Sequence, residues 1–321
     1  MRIGIAGCGR IAEIGYLPAA RATQGVEIVA FADPDRARLE RCQAQWQGDS
    51  EAFDDVAALL ERARIDLLVV AAPAATHVPL AEAAAAAGVR SLIEKPPAAD
   101  LAGAQRLAAL DPSPFIAFNR RFLQGSELLP SIPGEGWLEL DLELRFRQTA
   151  WDAHEARDEA LLDAGIHLID LACHLSGASP VAVRRAEVSP ARAQLELELT
   201  RGRAHISCAT DRRHREEVEV RDRSGKVLGR SAWGGLQSRL AGALGRLDPL
   251  VLSLQRQLEA AALGVSLMEP PHLLLQQGHP HRLLATARDG VTAMAVVEAA
   301  RRSAELGGAE VTVTPVPGVA A

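Results

Sequence analysis

Arg2-Ile3-Gly4-Ile5-Ala6-Gly7-Cys8-Gly9-Arg10-Ile11-Ala12 is the stretch whose reading decides the fold. Its first half is a short apolar run that reads as a strand, and it passes without a polar break into G-x-G-x-x-A. In such a turn Gly7 permits the tight bend, Gly9 lets backbone approach a pyrophosphate, and Ala12 lets the following helix pack close to the strand. A helix start offers unbonded N–H groups and a partial positive charge to phosphate, so Gly7, Cys8, Gly9, Arg10 and Ile11 form the predicted cradle. A glycine-rich turn alone is weak evidence, and its context strengthens it. Asp33 closes the next apolar run, about 20 residues on, where a carboxylate accepts hydrogen bonds from ribose hydroxyls. The competing reading of Asp33 is a plain helix N-cap. A carboxylate there repels a 2′-phosphate and favours NAD(H), while Arg36 and Arg38 nearby keep NADP(H) open.

The same grammar continues to about residue 120. Residues 2–6, 27–32, 66–72, 90–94 and 115–118 read as strands buried on both faces. Between them 10–22, 35–46, 54–63, 77–87 and 100–109 carry helical spacing, with Asp54, Thr76 and Asp100 as N-caps. Strand and helix in alternation predict a doubly wound parallel sheet. Beyond Arg120 a Pro- and Gly-containing connection (121–136) leads into period-two segments at 137–147, 181–188, 195–200, 203–210 and 216–221, with a turn at Ser224-Gly225-Lys226. Helical patterns at 157–175, 235–262 and 284–306 are expected to cover one face of the resulting sheet, and Val311-Thr312-Val313 reads as a last edge strand. The prediction is an α/β chain: a Rossmann domain over 1–120, then an α/β substrate and association domain over 121–321 with an open, mostly antiparallel sheet.

Composition narrows the function. A net charge of −6 with no basic stretch argues against nucleic acid as a partner. No apolar run approaches the roughly 18 residues a membrane span needs, and the N-terminal run lacks the plan of a signal peptide. Cys8, Cys42, Cys173 and Cys208 show no C-x-x-C spacing, which suits a reducing, cytoplasmic setting.

Two further constellations carry chemistry. Glu94-Lys95-Pro96 follows the fifth strand, at the carboxyl edge where open parallel sheets bind ligands. Lysine occurs only at 95 and 226 in a chain rich in arginine. A compact, rotatable ammonium suits a carbonyl or alkoxide oxygen better than a guanidinium does. Survival at 226, in an ordinary turn, is the bland counter-reading. Asp163 and His167 stand at i, i+4, in line with Asp170 and His174. That line reads as a solvated stripe, as part of a metal site completed by His154, His279 or His281, or as a catalytic pair. The apolar residues flanking it favour a buried helix, and nothing singles out a third metal ligand, so no metal is assigned.

Gly7 to Ala12, Ala32-Asp33-Pro34-Asp35, Ala72-Pro73-Ala74-Ala75-Thr76-His77, Glu94-Lys95-Pro96, Phe118-Asn119-Arg120-Arg121-Phe122 and Asp163 to Asp170 stand in the order of one known family. The chain resembles the glucose-fructose oxidoreductase / inositol dehydrogenase / rhizopine-catabolism (Gfo/Idh/MocA) oxidoreductases. The resemblance covers most of the chain and thins at 123–150 and 180–280. It implies His167 as general acid/base, Asp163 as its partner, and Lys95 as donor to the reacting oxygen. It also implies cofactor contacts from Pro73, Thr76, His77, Glu94, Asn119 and Arg121, and a homodimer or homotetramer built through the C-terminal sheet. Arg145, Arg147 and Trp151 are candidates for a small polar substrate. Where the family often has a glycine-rich stretch before the aspartate, this chain has Arg157-Asp158-Glu159-Ala160.

The expected activity is hydride transfer between NAD(H) and a sugar, cyclitol or nucleotide-sugar carbinol. Two alternatives stay beside it: a glycosidase, lyase or epimerase cycling tightly bound NAD, and a non-catalytic NAD-sensing regulator.

Overall fold

β1 (Arg2–Ala6) opens a sheet whose strands are apolar on both faces because helices lie on both. The computed structural model describes residues 1–123, 128, 131–147, 159–234, 248–266 and 283–314. Its chain divides into two units, Met1–Phe122 with Pro249–Gly290, and Leu123–Asp248 with Val291–Ala321. The first therefore includes a late return of the chain that a single division at residue 120 does not contain.

In the first unit β1 leads through a wide π-type turn (Ala12–Tyr16) into α1 (Leu17–Ala22). There follow β2 (Glu27–Ala32), α2 (Arg36–Trp46), β3 (Glu51–Phe53), α3 (Val56–Arg62), β4 (Leu67–Val70), α4 (Ala74–Ala86), β5 (Arg90–Ile93), α5 (Leu101–Ala108) and β6 (Phe115–Ile116). These strands are parallel in the order β6-β5-β4-β1-β2-β3. The order reverses between β1 and β4, which opens a crevice at their carboxyl ends.

Several local expectations shift. Asp100 caps α5 as expected, through Gly103 N at 2.7 Å, but α3 is capped by Asp55 rather than Asp54. Pro73 takes the N-cap place of α4, and the Thr76 hydroxyl donates back to Pro73 O at 2.8 Å instead. The first helix begins with a π-type turn because Pro18 lacks the amide an α-helix would aim at Ile14 O, and Leu17 N reaches Ala12 O. β3 is too short for a periodic signal and exists by pairing with β2.

In the second unit β7 (Leu138–Arg147) precedes another wide turn (Leu161–Gly165) and α6 (Ile166–Ser176). β8 (Pro180–Val188), β9 (Arg192–Leu199), β10 (Gly202–Ala209), β11 (Asp211–Asp222) and β12 (Val227–Gly234) follow. The sheet runs β12-β11-β7-β10-β9-β8-β14 and is antiparallel except between β7 and β10. β12 was not expected. It pairs with β11 across the Ser224-Gly225-Lys226 turn, where Asp222 Oδ1 accepts from Ser224 N and Lys226 N. Leu140, Leu142 and Leu144 on β7 and Ile206 and Cys208 on β10 are buried, on the face α6 covers. The alternate residues of these strands form the opposite face, which carries ion pairs such as Arg203–Glu139 at 2.6 Å and Arg215–Glu143 at 3.1 Å.

α7 (Pro249–Ser266) overturns one expectation. It lies with the first unit, against α1 and the 119–122 turn, and its Leu254 and Leu258 share a core with Tyr16, Leu17 and Phe122. It does not cover the antiparallel sheet, and residues 235–247 of the expected helix lie outside the described residues. β13 (Ala285–Thr286) pairs with β6, and α8 (Ala287–Glu305) starts in the first unit and continues into the second. β14 (Val311–Thr312) is the expected edge strand, on β8. Among the described residues no helix is long and apolar enough to cross a membrane.

Candidate functional site

The loops after β1, β2, β4, β5 and β6 line the carboxyl edge of the parallel sheet. Backbone bonds zip them together: Gly7 N to Ala32 O (2.8 Å), Ala71 N to Ala6 O (2.7 Å) and Glu94 N to Val70 O (2.9 Å). Gly7 has φ +94°, and a Cβ there would lie 2.5 Å from Ala71 O, so conformation and packing both demand glycine. Gly9 is different. Its φ is not left-handed, and a Cβ on it would meet nothing within 4 Å. Among the described residues nothing requires glycine at 9, whereas a phosphate seated on the turn would. No side chain caps the start of the following helix.

Asp33 is buried, and its carboxylate clamps the loop, accepting from Cys8 N at 2.7 Å and Asp35 N at 2.8 Å. The N-cap reading of Asp33 fails, because Asp35 caps α2 through Ala37 N and Arg38 N. Each Asp33 oxygen keeps a lone pair for a ribose hydroxyl. Asn119, 7% exposed beyond β6, has a side-chain carbonyl with no hydrogen-bond partner. A buried orphan acceptor at this edge fits a ligand that brings a donor, such as a carboxamide. Together the void over Gly9, the Asp33 clamp and the Asn119 oxygen fit a dinucleotide.

Glu94 and Lys95 leave β5 at the same edge. The Tyr16 hydroxyl donates to Glu94 Oε1 at 2.7 Å, and Lys95 N donates to Glu94 Oε2 at 3.2 Å. Burial pushes the Glu94 carboxyl above its ordinary range, and the Tyr16 and Lys95 donors pull the other way. Burial, and then the neighbouring Glu94 charge, hold the Tyr16 phenol well above its ordinary value, so it stays a donor. Pro73, Thr76 and Arg10 are exposed along this edge and Ile11 is half-buried.

Two residues expected at the cofactor also have partners within the chain. His77, 1% exposed, has Nδ1 3.0 Å from Pro96 O and Nε2 2.7 Å from Ala72 O, tying the Lys95-Pro96 segment to the loop after β4. Arg121 is buried with its guanidinium 3.3 Å from Asp289. Burial works against the Asp289 charge, yet Arg121 and the Thr286 donors hold its carboxyl below the usual range.

In the second unit Asp163 lies in the wide turn and His167 in the first turn of α6. The turn is pressed onto β10, since a Cβ on Gly165 would lie 3.2 Å from Cys208 Sγ. The Cys208 thiol donates to Ala160 O at 3.3 Å, and burial pushes it up to about 12. His167 and Asp170 are 6% and 3% exposed, so the polar line is not a solvated stripe. Among the described residues no group of three or more His, Cys, Asp or Glu is placed to hold a metal. His154, His279, His281 and Trp151 lie outside the described residues. Arg145 and Arg147 alternate with the buried leucines of β7, which puts them on the face opposite α6, with Arg145 paired to Glu143 at 3.4 Å. The sequence reading missed Tyr16, whose only signal was being the single tyrosine, and Glu216, buried on the covered face of β11.

Residues 1–112 match the Gfo/Idh/MocA model described as "Oxidoreductase family, NAD-binding Rossmann fold". Among curated proteins, D-apiose dehydrogenase of Paraburkholderia graminis is 31% identical over 183 residues, covering 53% of this chain and 48% of that protein. The dTDP-3,4-didehydro-2,6-dideoxy-alpha-D-glucose 3-reductase of Streptomyces antibioticus is 39% identical over 110 residues, 34% of this chain and 33% of that protein. The chain thus spans about half the length of the first relative and a third of the second. Similar solved structures include a probable dehydrogenase from Thermotoga maritima, with TM-score 0.76, 20% identity, and coverage of 98% of this chain and 99% of that one. Another is myo-inositol dehydrogenase from Lactobacillus casei in complex with NAD(H) and myo-inositol, with TM-score 0.76, 18% identity and 99% of both chains covered. These structures establish a shared fold over nearly the whole chain. From its first strand through the Glu94-Lys95-Pro96 loop and on to residue 112, the N-terminal part of this chain is similar to the NAD-binding Rossmann domain of the Gfo/Idh/MocA oxidoreductases.

Proposed function

We propose that the protein is an NAD(H)-dependent dehydrogenase or reductase of a sugar, cyclitol or nucleotide-sugar carbinol. The observation that carries this is the carboxyl edge of the parallel sheet, where an open glycine turn, a buried carboxylate and an anchored lysine stand side by side. The named activities of the relatives supply the substrate class. Bound NAD(H) supplies the hydride acceptor or donor. Asp33 and the turn at Gly7–Gly9 hold the adenosine side, and Asn119 accepts from a carboxamide N–H. Lys95 donates to the reacting oxygen and stabilises negative charge that develops there. His167 takes the hydroxyl proton on oxidation and returns it on reduction, with Asp163 orienting the ring.

NAD(H) rather than NADP(H) is supported by the two arginines that kept the choice open. Arg36 pairs with Glu40 at 3.1 Å and Arg38 with Asp35 at 3.4 Å, so both have acidic partners within the chain. The test is turnover of a polyol, aldose and nucleotide-sugar panel read by nicotinamide absorbance. Lys95→Ala and His167→Ala are each expected to cut turnover at least about 100-fold while NADH still binds. Near-normal turnover in either variant removes that residue from the mechanism.

A further inference from the structure

Two of the four cysteines meet inside the first unit. Cys8 stands in the glycine turn and Cys42 on α2, 34 residues later, and both are fully buried in one core. The Cys42 thiol donates to Cys8 O at 3.8 Å, and the two sulfhydryl groups are in hydrogen-bond contact with each other. That contact holds the Cys42 thiol below its ordinary range, against burial, and pushes the Cys8 thiol above it. Cys42 is therefore the sulfur that ionises first, with a second thiol beside it. Cys8 is also tied into the cradle, because its amide donates to Asp33 Oδ2 at 2.7 Å. Gly9 follows, and among the described residues a Cβ built there meets nothing within 4 Å. That opening gives an oxidant little larger than water a way toward the pair. Cys173 and Cys208 lie in the second unit.

We propose that Cys8 and Cys42 are an oxidation site, closed to a disulfide by hydrogen peroxide, and that closure weakens the hold of the glycine turn on its cofactor. The Cys42 thiolate attacks a peroxide oxygen, the O–O bond breaks, and the departing hydroxide takes a proton and leaves as water. The sulfenic acid so formed is attacked by the Cys8 sulfur. Its S–O bond breaks, and its hydroxyl leaves with the Cys8 thiol proton as a second water. Two thiols are oxidised to one disulfide, and one hydrogen peroxide is reduced to two waters. Closure draws the sulfurs from contact to about 2.05 Å and pulls the turn against α2. It also consumes the thiol proton that Cys8 O accepts, and the Cys8 amide moves relative to the Asp33 carboxylate. The effect on binding rests on the cofactor reading of the turn, whereas the disulfide itself does not.

The full chain is treated with hydrogen peroxide, desalted, digested without reductant and read by peptide mass spectrometry. NADH is titrated by its fluorescence before and after. The expected result is a linked pair of peptides carrying Cys8 and Cys42, with NADH bound at least about tenfold more weakly and recovery on adding dithiothreitol. Cys42→Ser is expected to bind NADH equally well with and without peroxide. Cys173→Ser combined with Cys208→Ser leaves only the pair and is expected to respond as the parent does. Absence of the linked peptides overturns the proposal, and so does linked protein that binds NADH like the reduced form. The linked peptides are read in the parent itself, so a variant that fails to fold leaves the test intact. If the reduced parent does not bind NADH, the cofactor reading has failed, while the linked peptides still decide the oxidation site.

Discussion

Replacing Gly9 by alanine separates what the fold needs from what a ligand needs. In the free protein the added methyl enters open space, with nothing within 4 Å, and the backbone there is not left-handed. Folding stability should therefore hold or rise, by about 0.4–1 kcal/mol from the lower entropy of the unfolded chain. Gly7 is the control. Alanine there must adopt φ +94° with its Cβ 2.5 Å from Ala71 O. Left-handed strain of about 1–2 kcal/mol plus overpacking of about 1–3 kcal/mol puts the loss near 3 kcal/mol. For binding the order reverses. A pyrophosphate on the turn meets the new methyl at Gly9, and a displacement costing about 2.7 kcal/mol weakens binding about 100-fold. The assay pairs urea melts of the free variants with titration of NADH by its fluorescence. Gly9→Ala should melt like the parent and bind at least about 100-fold more weakly. Unchanged NADH affinity in Gly9→Ala would refute the cradle. Equal stability losses in the two variants would refute the open space on which the reasoning stands.

Two further substitutions probe the same edge. Asp33→Ala leaves Cys8 N and Asp35 N without their buried acceptor, and should cost about 2–4 kcal/mol in a urea melt along with NADH affinity; a melt within about 0.5 kcal/mol of the parent would show that the clamp is not structural. Arg121→Ala strands Asp289, whose side chain retains 38% exposure, so the loss should be about 1–2 kcal/mol rather than that of a fully buried pair. The Asp289 carboxyl is depressed below its usual 3.8, so the pair stabilises the fold above that pH and stops doing so as pH falls through the lower folded value. The gap between parent and Arg121→Ala should be full at pH 7 and shrink below about pH 4, and a gap independent of pH would place the effect in packing.

The parallel half was legible because its signals are local and redundant. A strand buried on both faces shows as an unbroken apolar run, and a glycine turn that ends one strand also begins a helix. Asp33, Gly7 and the Glu94-Lys95 loop all fell where those rules put them. What escaped depends on pairing rather than pattern. Glu51-Ala52-Phe53 is a strand only because β2 lies beside it. Pro249–Ser266 carries the same amphipathic spacing whether it covers the first sheet or the second, and sequence does not say which surface receives Leu254 and Leu258. Arg145 shows the converse limit. Its residue type suggested an anion, but the period-two pleat already placed it beside Glu143 on the face opposite the α6 helix.

Both candidate chemical segments begin on a wide turn, Ala12–Tyr16 after the glycine loop and Leu161–Gly165 before His167, and this bears on why their details resisted prediction. Spacing arguments assume a constant angle per residue, so one i→i+5 closure resets the phase of everything after it. Read with regular α-helical phase, Tyr16 is an apolar-face residue of a cofactor helix, and Asp163 and His167 are simple i, i+4 neighbours. The wide turn instead delivers the Tyr16 phenol to Glu94. It also makes the step from Asp163 to His167 cross an irregular turn pressed onto β10 at Gly165. Pro18 gives a sequence-level reason for the first reset, because the missing amide is visible in the chain. The second has no such marker. What accompanies it is a close approach to the sheet at Gly165, which exists only once β10 is in place.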